Sequence, residues 1–322
     1  MAGKHQRMML PRRPADDPRN GPVILRRELI GQGLNDRAIA RLVSGGDLVR
    51  VRRGAYASAE IWENLDQDGR FGLRGRAVLR QARAPALLSH TSGLPEFDAP
   101  TWGFELDDVH ITRTDGLAGR KEAGVHQHCG AIRAGDLVVV NGLPVMNPAR
   151  ITLETTTLRN PEASLCVANY MLHRGLTTIE ELNVQYVDMN WWPDTLSAEI
   201  VLRLADARIE SVGETRTYWC CYQHGLPMPE PQFEIKDANG RVVARVDFAW
   251  PAFGVFLEFD GRIKYEKLLR EGERASDVVL REKRREEMIC RLTGWRCVRV
   301  AWHELASPER LAARIRAELV AA

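Results

Sequence analysis

The sequence lacks any apolar run approaching the roughly 18–20 residues that cross a bilayer, so no membrane-spanning helix is expected. Its six cysteines, Cys129, Cys166, Cys220, Cys221, Cys290 and Cys297, contain no C-x-x-C pair and no disulfide-framework density. That usage fits reduced thiols and a cytoplasmic protein. Charge of one sign is also missing. Lys and Arg number 45 against 43 Asp and Glu, a net of +2, so bulk charge predicts no partner, and any nucleic-acid surface must come from local clusters. There is no internal repeat and no low-complexity tract. The first 21 residues are basic and Pro-rich but have no apolar centre, which excludes a secretory signal and leaves a flexible lead. What is present, 322 residues with 44% hydrophobic and 27% charged content, describes a soluble globular chain of two or three domains.

The first organised segment spans 22–60. VILRRELIGQGL has apolar residues at helical spacing and ends at Gly31 and Gly33. Asn35 or Asp36 can cap a second helix, DRAIARLVSGG, with Ile39, Leu42 and Val43 on one face and Gly45 and Gly46 stopping it. DLVRVRRGAYA then alternates as a strand with a Gly turn. Helix, turn, helix and a basic β-wing is the order of a winged helix-turn-helix. Arg37 and Arg41 lie one turn apart on the candidate recognition helix, and Arg50, Arg52 and Arg53 lie in the wing. Such arginines contact base edges and phosphates, which makes DNA the expected partner.

Residues 76–160 mix a helix, GRAVLRQARA, with short strands such as DDVHITR, GVHQHC and DLVVVNGLPV, as a small α/β middle domain would. Residues 161–206 read as a helical connector interrupted at Trp191, Trp192 and Pro193. His126, His128 and Cys129 form an H-x-H-C string without a fourth ligand at typical spacing, so no zinc is assigned to it. His90 in LLSHTS is read as a structural hydrogen-bonding residue.

Residues 207–322 are the most legible. SVGETRTYWCCYQHG is a helix ended by Gly225, and the Asn239-Gly240 turn joins QFEIKD to RVVARVDFAW as a hairpin. A strand GVFLEFDG, a charged helix, a strand WRCVRVAW and a terminal helix complete an αβββαβα unit. Asp247 falls near the end of the second strand, and Glu258 and Asp260 at i and i+2 of the third share one face of the sheet. Crowded carboxylates repel unless a cation sits between them, and a hard cation such as Mg²⁺ suits oxygen ligands. Such a metal polarises a phosphodiester and lowers the pKa of bound water. Glu214 on the preceding helix can add a carboxylate, and Lys264 can neutralise developing charge. The run from Arg281 to Glu287 reads as a solvated helix face supported by i,i+4 pairs, with its basic members a secondary candidate for the DNA backbone.

The strings RVVARVDFAWP, VFLEFDGRIKY and LREKRREEMICRLTGWRCVRVAWHEL together resemble the PD-(D/E)XK nuclease superfamily, in its branch similar to very-short-patch-repair endonucleases. The resemblance implies Asp247 and Glu258 as metal ligands and Glu214 as the helix carboxylate. Asp260 stands where the general pattern carries a lysine, and Lys264 follows four residues on. Residues Gly46, Leu48, Arg50, Val51, Arg53, Gly54 and Tyr56 match a string found in AbiEi-type antitoxins, the regulators of type IV toxin–antitoxin systems. That resemblance implies DNA binding, often at the protein's own operator.

Two functions follow as expectations. One is a DNA-binding protein with a Mg²⁺- or Mn²⁺-dependent endonuclease domain. Its catalytic residues are Glu214, Asp247, Glu258 and Lys264, and its metal ligands Asp247, Glu258 and Asp260. The other is an antitoxin-like regulator that binds its operator, alongside a cognate toxin, and whose nuclease-like domain does not cut. Either way the fold class is multidomain α/β: a winged helix-turn-helix, a small α/β middle domain and a restriction-endonuclease-like αβββαβα domain.

Overall fold

The computed structural model describes residues 10, 12–189, 192, 194–260 and 275–320, and the chain divides between Ala205 and Asp206 into two units. In the first unit a short strand β1 (Ile24–Leu25) leads into α1 (Arg26–Gly31) and α2 (Asp36–Ser44). The side chain of Asn35 accepts the N–H of Ala38 at 2.9 Å and so starts α2. A two-stranded wing follows, β2 (Leu48–Arg52) and β3 (Ala55–Ser58), turning at Gly54, whose φ of +75° suits glycine. The order β1-β3-β2 makes a three-stranded sheet. The segment expected to be helical from Val23 therefore begins as strand. Ile24 and Leu25 pair with Tyr56 and Ala55, and this tertiary pairing overrides their helical spacing.

After α3 (Ala59–Glu63), helix α4 (Gln67–Gln81) is capped by Asp66, which accepts the N–H of Gly69 at 2.8 Å. Leu65, Leu73 and Ala77 pack with Val23, Leu25, Val51, Ala55 and Ala57, so the wing is backed by α4. The N-terminal lead is more ordered than its composition suggests. The buried Arg13 guanidinium pairs with the buried Glu96 at 3.1 Å, and Pro18–Asn20 forms a 3₁₀ turn capped by Asp17. A buried carboxylate needs a counter-charge, and Arg13 supplies it, so the expected flexible lead is corrected from Arg12 onward.

Six further strands form one sheet in the order β6-β7-β5-β4-β9-β8. They are β4 (Ala86–Leu88), β5 (Val109–Arg113), β6 (Arg120–Glu122), β7 (Val125–His128), β8 (Leu137–Val140) and β9 (Leu143–Met146). β5 pairs with β7, and β4 with β9, in parallel. Phe71, Leu88, Phe97, Ile111, Met146 and Ile151 lie in the core of this sheet. Helices α5 (Pro148–Thr156), α6 (Pro161–His173), α7 (Ile179–Asp188) and α8 (Leu196–Leu204) close the unit. Val167 and Met171 of α6 enter the sheet core, and Leu153, Leu172, Leu182, Met189 and Ala198 make a second cluster. Residues 161–206 thus do more than connect: their apolar faces are buried on the unit they follow. Trp191 and Pro193 lie outside the described residues, and Trp192 sits in a bend.

The second unit runs α9 (Val212–Gln223), β10 (Glu230–Lys236), β11 (Val242–Trp250), β12 (Val255–Asp260), α10 (Ala275–Thr293), β13 (Arg296–Ala301) and α11 (Pro308–Val320), the αβββαβα order of the sequence reading. At the hairpin, Asp237 Oδ1 accepts the N–H groups of Asn239 and Arg241, at 2.8 and 2.9 Å. β10, β11 and β12 are antiparallel neighbours and β13 joins β12 in parallel. Phe248, Trp250, Leu257, Val298 and Val300 pack with Ile209, Leu311 and Ile315. One close approach fixes α9 on the sheet: a Cβ at Gly213 would fall 2.0 Å from the Phe259 ring. Gly213→Ala is expected to destabilise the second unit by about 1–3 kcal/mol through overpacking, and Phe259→Leu in the same chain to restore part of the loss. Hydrogen exchange of α9 amides under mild urea reads this. Unchanged protection in Gly213→Ala would contradict it.

Candidate functional site

Two groups of residues were expected to act, and their surroundings differ. On α2, Arg37 and Arg41 are exposed, as are Arg50 and Arg53 on the wing. None of these four side chains makes an ion pair among the described residues, so their charge faces outward. The burial of Ile39 against Leu29 and Tyr56 turns the opposite, arginine-bearing face of α2 outward. Leu42 is half-buried and Val43 exposed, so the apolar face is narrower than its spacing suggested. Arg52 behaves differently. It is half-buried, donates to the Ala123 carbonyl at 3.3 Å, and lines a cavity of about 430 Å³ with Arg113, Arg120 and Gln127. Burial pushes its pKa down. Its role is thus turned toward the β6–β7 region, away from the surface shared by the other four.

In the second unit the carboxylates are held individually. Asp247 is buried, and its Oδ2 accepts the N–H of Phe259 at 2.7 Å. Glu214, also buried, accepts from the Ser211 hydroxyl at 2.7 Å, from the Glu210 N–H at 3.0 Å and from Gln232 Nε2 at 3.1 Å. Gln232 lies between Pro231 and Phe233, which pair with Phe248 and Val246 across the ladder and so flank Asp247. Phe259 is the neighbour of Glu258 and touches Gly213, the neighbour of Glu214. These contacts tie the backbone segments carrying Glu214, Asp247 and Glu258 to one another.

Glu258 itself forms an ion pair with Arg285 of α10 at 2.8 Å. Arg285 also donates to the Arg245 carbonyl, and Glu286 pairs with Arg299 at 2.6 Å. Arg285 and Glu286 of the run expected to be a solvated, self-supporting helix face are therefore engaged with the sheet. A divalent ion shared by three carboxylates requires their oxygens to converge. Among the described residues Glu214, Asp247, Glu258 and Asp260 do not supply three ligand atoms within 4.8 Å of one another. In this arrangement a guanidinium meets the charge of Glu258. Lys264 lies outside the described residues.

A third cluster was not anticipated. His90, His110 and His128 bring one ring nitrogen each to within 4.8 Å of the other two. Burial and the neighbouring rings hold them neutral, with His110 pushed down to about 4, His128 to about 3 and His90 well below the usual range. The 3.6 Å approach of His90 Nδ1 to Glu154 is therefore not an ion pair, although Glu154 also accepts the His90 backbone N–H at 3.0 Å. His126 and His128 had been noted for their spacing and His90 for a hydrogen bond. His110 carried no signal at all, because only the sheet order brings it to the others. Cys129 is exposed and is not a member of the group.

Comparison with known proteins places this geometry in a family. Residues 17–59 match the model of the AbiEi antitoxin transcriptional regulators, the segment that forms the lead turn, α1, α2 and the wing. The uncharacterized proteins MT2308 and Rv2248 of Mycobacterium tuberculosis, from strains CDC 1551 and H37Rv, are each similar to this chain. Each is 32% identical over 278 residues, 85% of this chain and 93% of the relative. A crystal structure of the RV2827C protein of Mycobacterium tuberculosis is similar at 17% identity and a TM-score of 0.38, over 56% of this chain and 71% of that one. The chain belongs to the family of these mycobacterial proteins and opens with an AbiEi-antitoxin-type transcriptional-regulator domain.

Proposed function

We propose that this chain is a DNA-binding transcriptional regulator of the antitoxin type, acting at its own operator through α2 and the wing. The observation that carries the reading is the exposed set of Arg37, Arg41, Arg50 and Arg53, which make no ion pair among the described residues, on a domain of the AbiEi regulator class. Arg37 and Arg41 would reach base edges in the major groove, and Arg50 and Arg53 the phosphates beside it. A cognate toxin is the protein partner this class implies. The second unit then serves as a nuclease-like module that adds contacts without cutting, consistent with the Arg285–Glu258 pair.

A second reading, a metal-dependent endonuclease, draws support from a specific observation. The αβββαβα order sets Asp247 and Glu258 on adjacent strands, with the Glu214 segment tied to both through Gln232 and Phe259. In that reading Asp247, Glu258 and Asp260 hold Mg²⁺ or Mn²⁺, with Glu214 and Lys264 completing the catalytic set.

Replacing Arg37 and Arg41 together by Ala should weaken binding to the chain's own promoter by about 10-fold or more, from roughly 1–3 kcal/mol per lost base contact. Equal affinity in a gel-shift titration would remove the recognition-helix assignment. Arg50→Ala and Arg53→Ala should each lower the salt dependence of binding by about one counterion, with a similar loss on unrelated DNA. A salt slope that stays at the wild-type value would argue against phosphate contact by the wing. With Mg²⁺ or Mn²⁺ added, supercoiled plasmid should stay intact. Nicking that disappears in Asp247→Ala and in Glu258→Ala would replace the regulator reading of the second unit by the endonuclease one.

A further inference from the structure

His90 opens a 3₁₀ turn (His90–Phe97) directly after β4, His110 lies on β5 and His128 ends β7. The parallel β5–β7 register sets His110 beside His126 and Thr112 beside His128. The His90 and His128 rings stack at 3.8 Å between centroids, His126 stacks on His128 at 4.1 Å, and His110 Nδ1 stands 2.9 Å from His128 Nε2. We propose that His90, His110 and His128 form a three-imidazole site for a divalent transition metal, best matched by Zn²⁺.

The donor set decides the metal. Three nitrogens from imidazole suit zinc and its neighbours, whereas Mg²⁺ and Ca²⁺ take oxygen. Two nitrogens each about 2.0–2.1 Å from a tetrahedral zinc stand roughly 3.3 Å apart. The His110–His128 separation of 2.9 Å is within a small side-chain shift of that value.

His90 is prepared for such a role from behind. Its Nδ1 stands 3.1 Å from the Ser89 hydroxyl and 3.6 Å from the Glu154 carboxylate, which leaves Nε2 as the nitrogen available to an ion. A hydrogen-bond partner on one ring nitrogen fixes the ring and orients the other nitrogen in metal sites. His90 also holds φ at +51°, a left-handed conformation that costs a non-glycine residue of order 1 kcal/mol or more and persists where the surroundings enforce it. Thr112, across the ladder from His128, carries a buried hydroxyl with no hydrogen-bond partner among the described residues, a polar group suited to a fourth, water-filled metal position. His128 is half-buried where the other two ligands are buried, which gives an ion access from one side.

The alternative is a stack of neutral imidazoles joined by one N–H···N bond. The two separate on metal binding by the full-length chain, stripped with a chelator and titrated with Co²⁺ alone. One equivalent should give the intense visible d–d bands of tetrahedral coordination, and Zn²⁺ should abolish them by displacement. His128→Ala, at the half-buried ligand, and His110→Gln should each weaken Co²⁺ binding by about 10-fold or more. Asp247→Ala with Glu258→Ala should leave it unchanged. Absence of tetrahedral bands in the wild-type chain would overturn the site. So would wild-type affinity in a folded His128→Ala chain, or loss of the bands in the carboxylate variant. Should His110→Gln fail to fold by circular dichroism, the wild-type spectrum and His128→Ala still decide.

Discussion

A buried guanidinium organises the first unit. Arg150 is almost fully shielded from water, so its charge must be met inside the protein. It is met by Asp136, by Glu154 at 3.1 Å, by the Ala131 carbonyl at 2.8 Å and by the face of Trp192 at 5.0 Å. The partners lie on three segments: the β7–β8 loop, which supplies both Ala131 and Asp136, α5 itself, and the bend before α8. Breaking such a pair strands a buried charge, so these segments are fixed together. Glu154 passes the constraint onward. Burial pushes its pKa up against the pull of Arg150, and its second oxygen holds the backbone N–H of His90 in its left-handed conformation. The histidine cluster thus rests on the same interaction that seats α5 on the sheet.

The two surfaces on which a function was expected have opposite characters. Arg37, Arg41, Arg50 and Arg53 are left to solvent, where a charge costs little and remains available to a polyanion. The acidic residues of the second unit instead meet partners among the described residues: Glu214 the Ser211 hydroxyl and Gln232, Asp247 a backbone amide, Glu258 the Arg285 guanidinium. The AbiEi-type regulator domain at residues 17–59 supports the DNA-binding reading of the first surface.

Legibility in the sequence followed the range of the interactions. The second unit was readable because its signals are local: the Asn239-Gly240 turn, the strand strings RVVARVDFAW and GVFLEFDG on either side of the Trp250-Pro251 break, and Gly225 at the end of α9. The wing was readable from Gly45, Gly46 and Gly54. β1 was missed because two residues paired to β3 cannot be told from the first turn of a helix. The helices after Pro161 were assigned to a connector because periodicity identifies a buried face without naming what buries it. Arg52 and Arg53 look alike in sequence, and only the approach of Ala123 separates them. His90, His110 and His128 stood apart in the chain, and their meeting depends on the β7-β5-β4 strand order, which no spacing rule encodes. The engagement of Glu258 by Arg285 was equally hidden, since a charged helix face reads as solvated until its neighbour is known.

The central claim, that DNA is read by α2 and the wing, is tested most directly by hydrogen–deuterium exchange of the full chain with and without its promoter fragment. The account predicts added protection concentrated in residues 35–53. Protection confined to residues 206–320, with α2 and the wing exchanging as in the free protein, would contradict it.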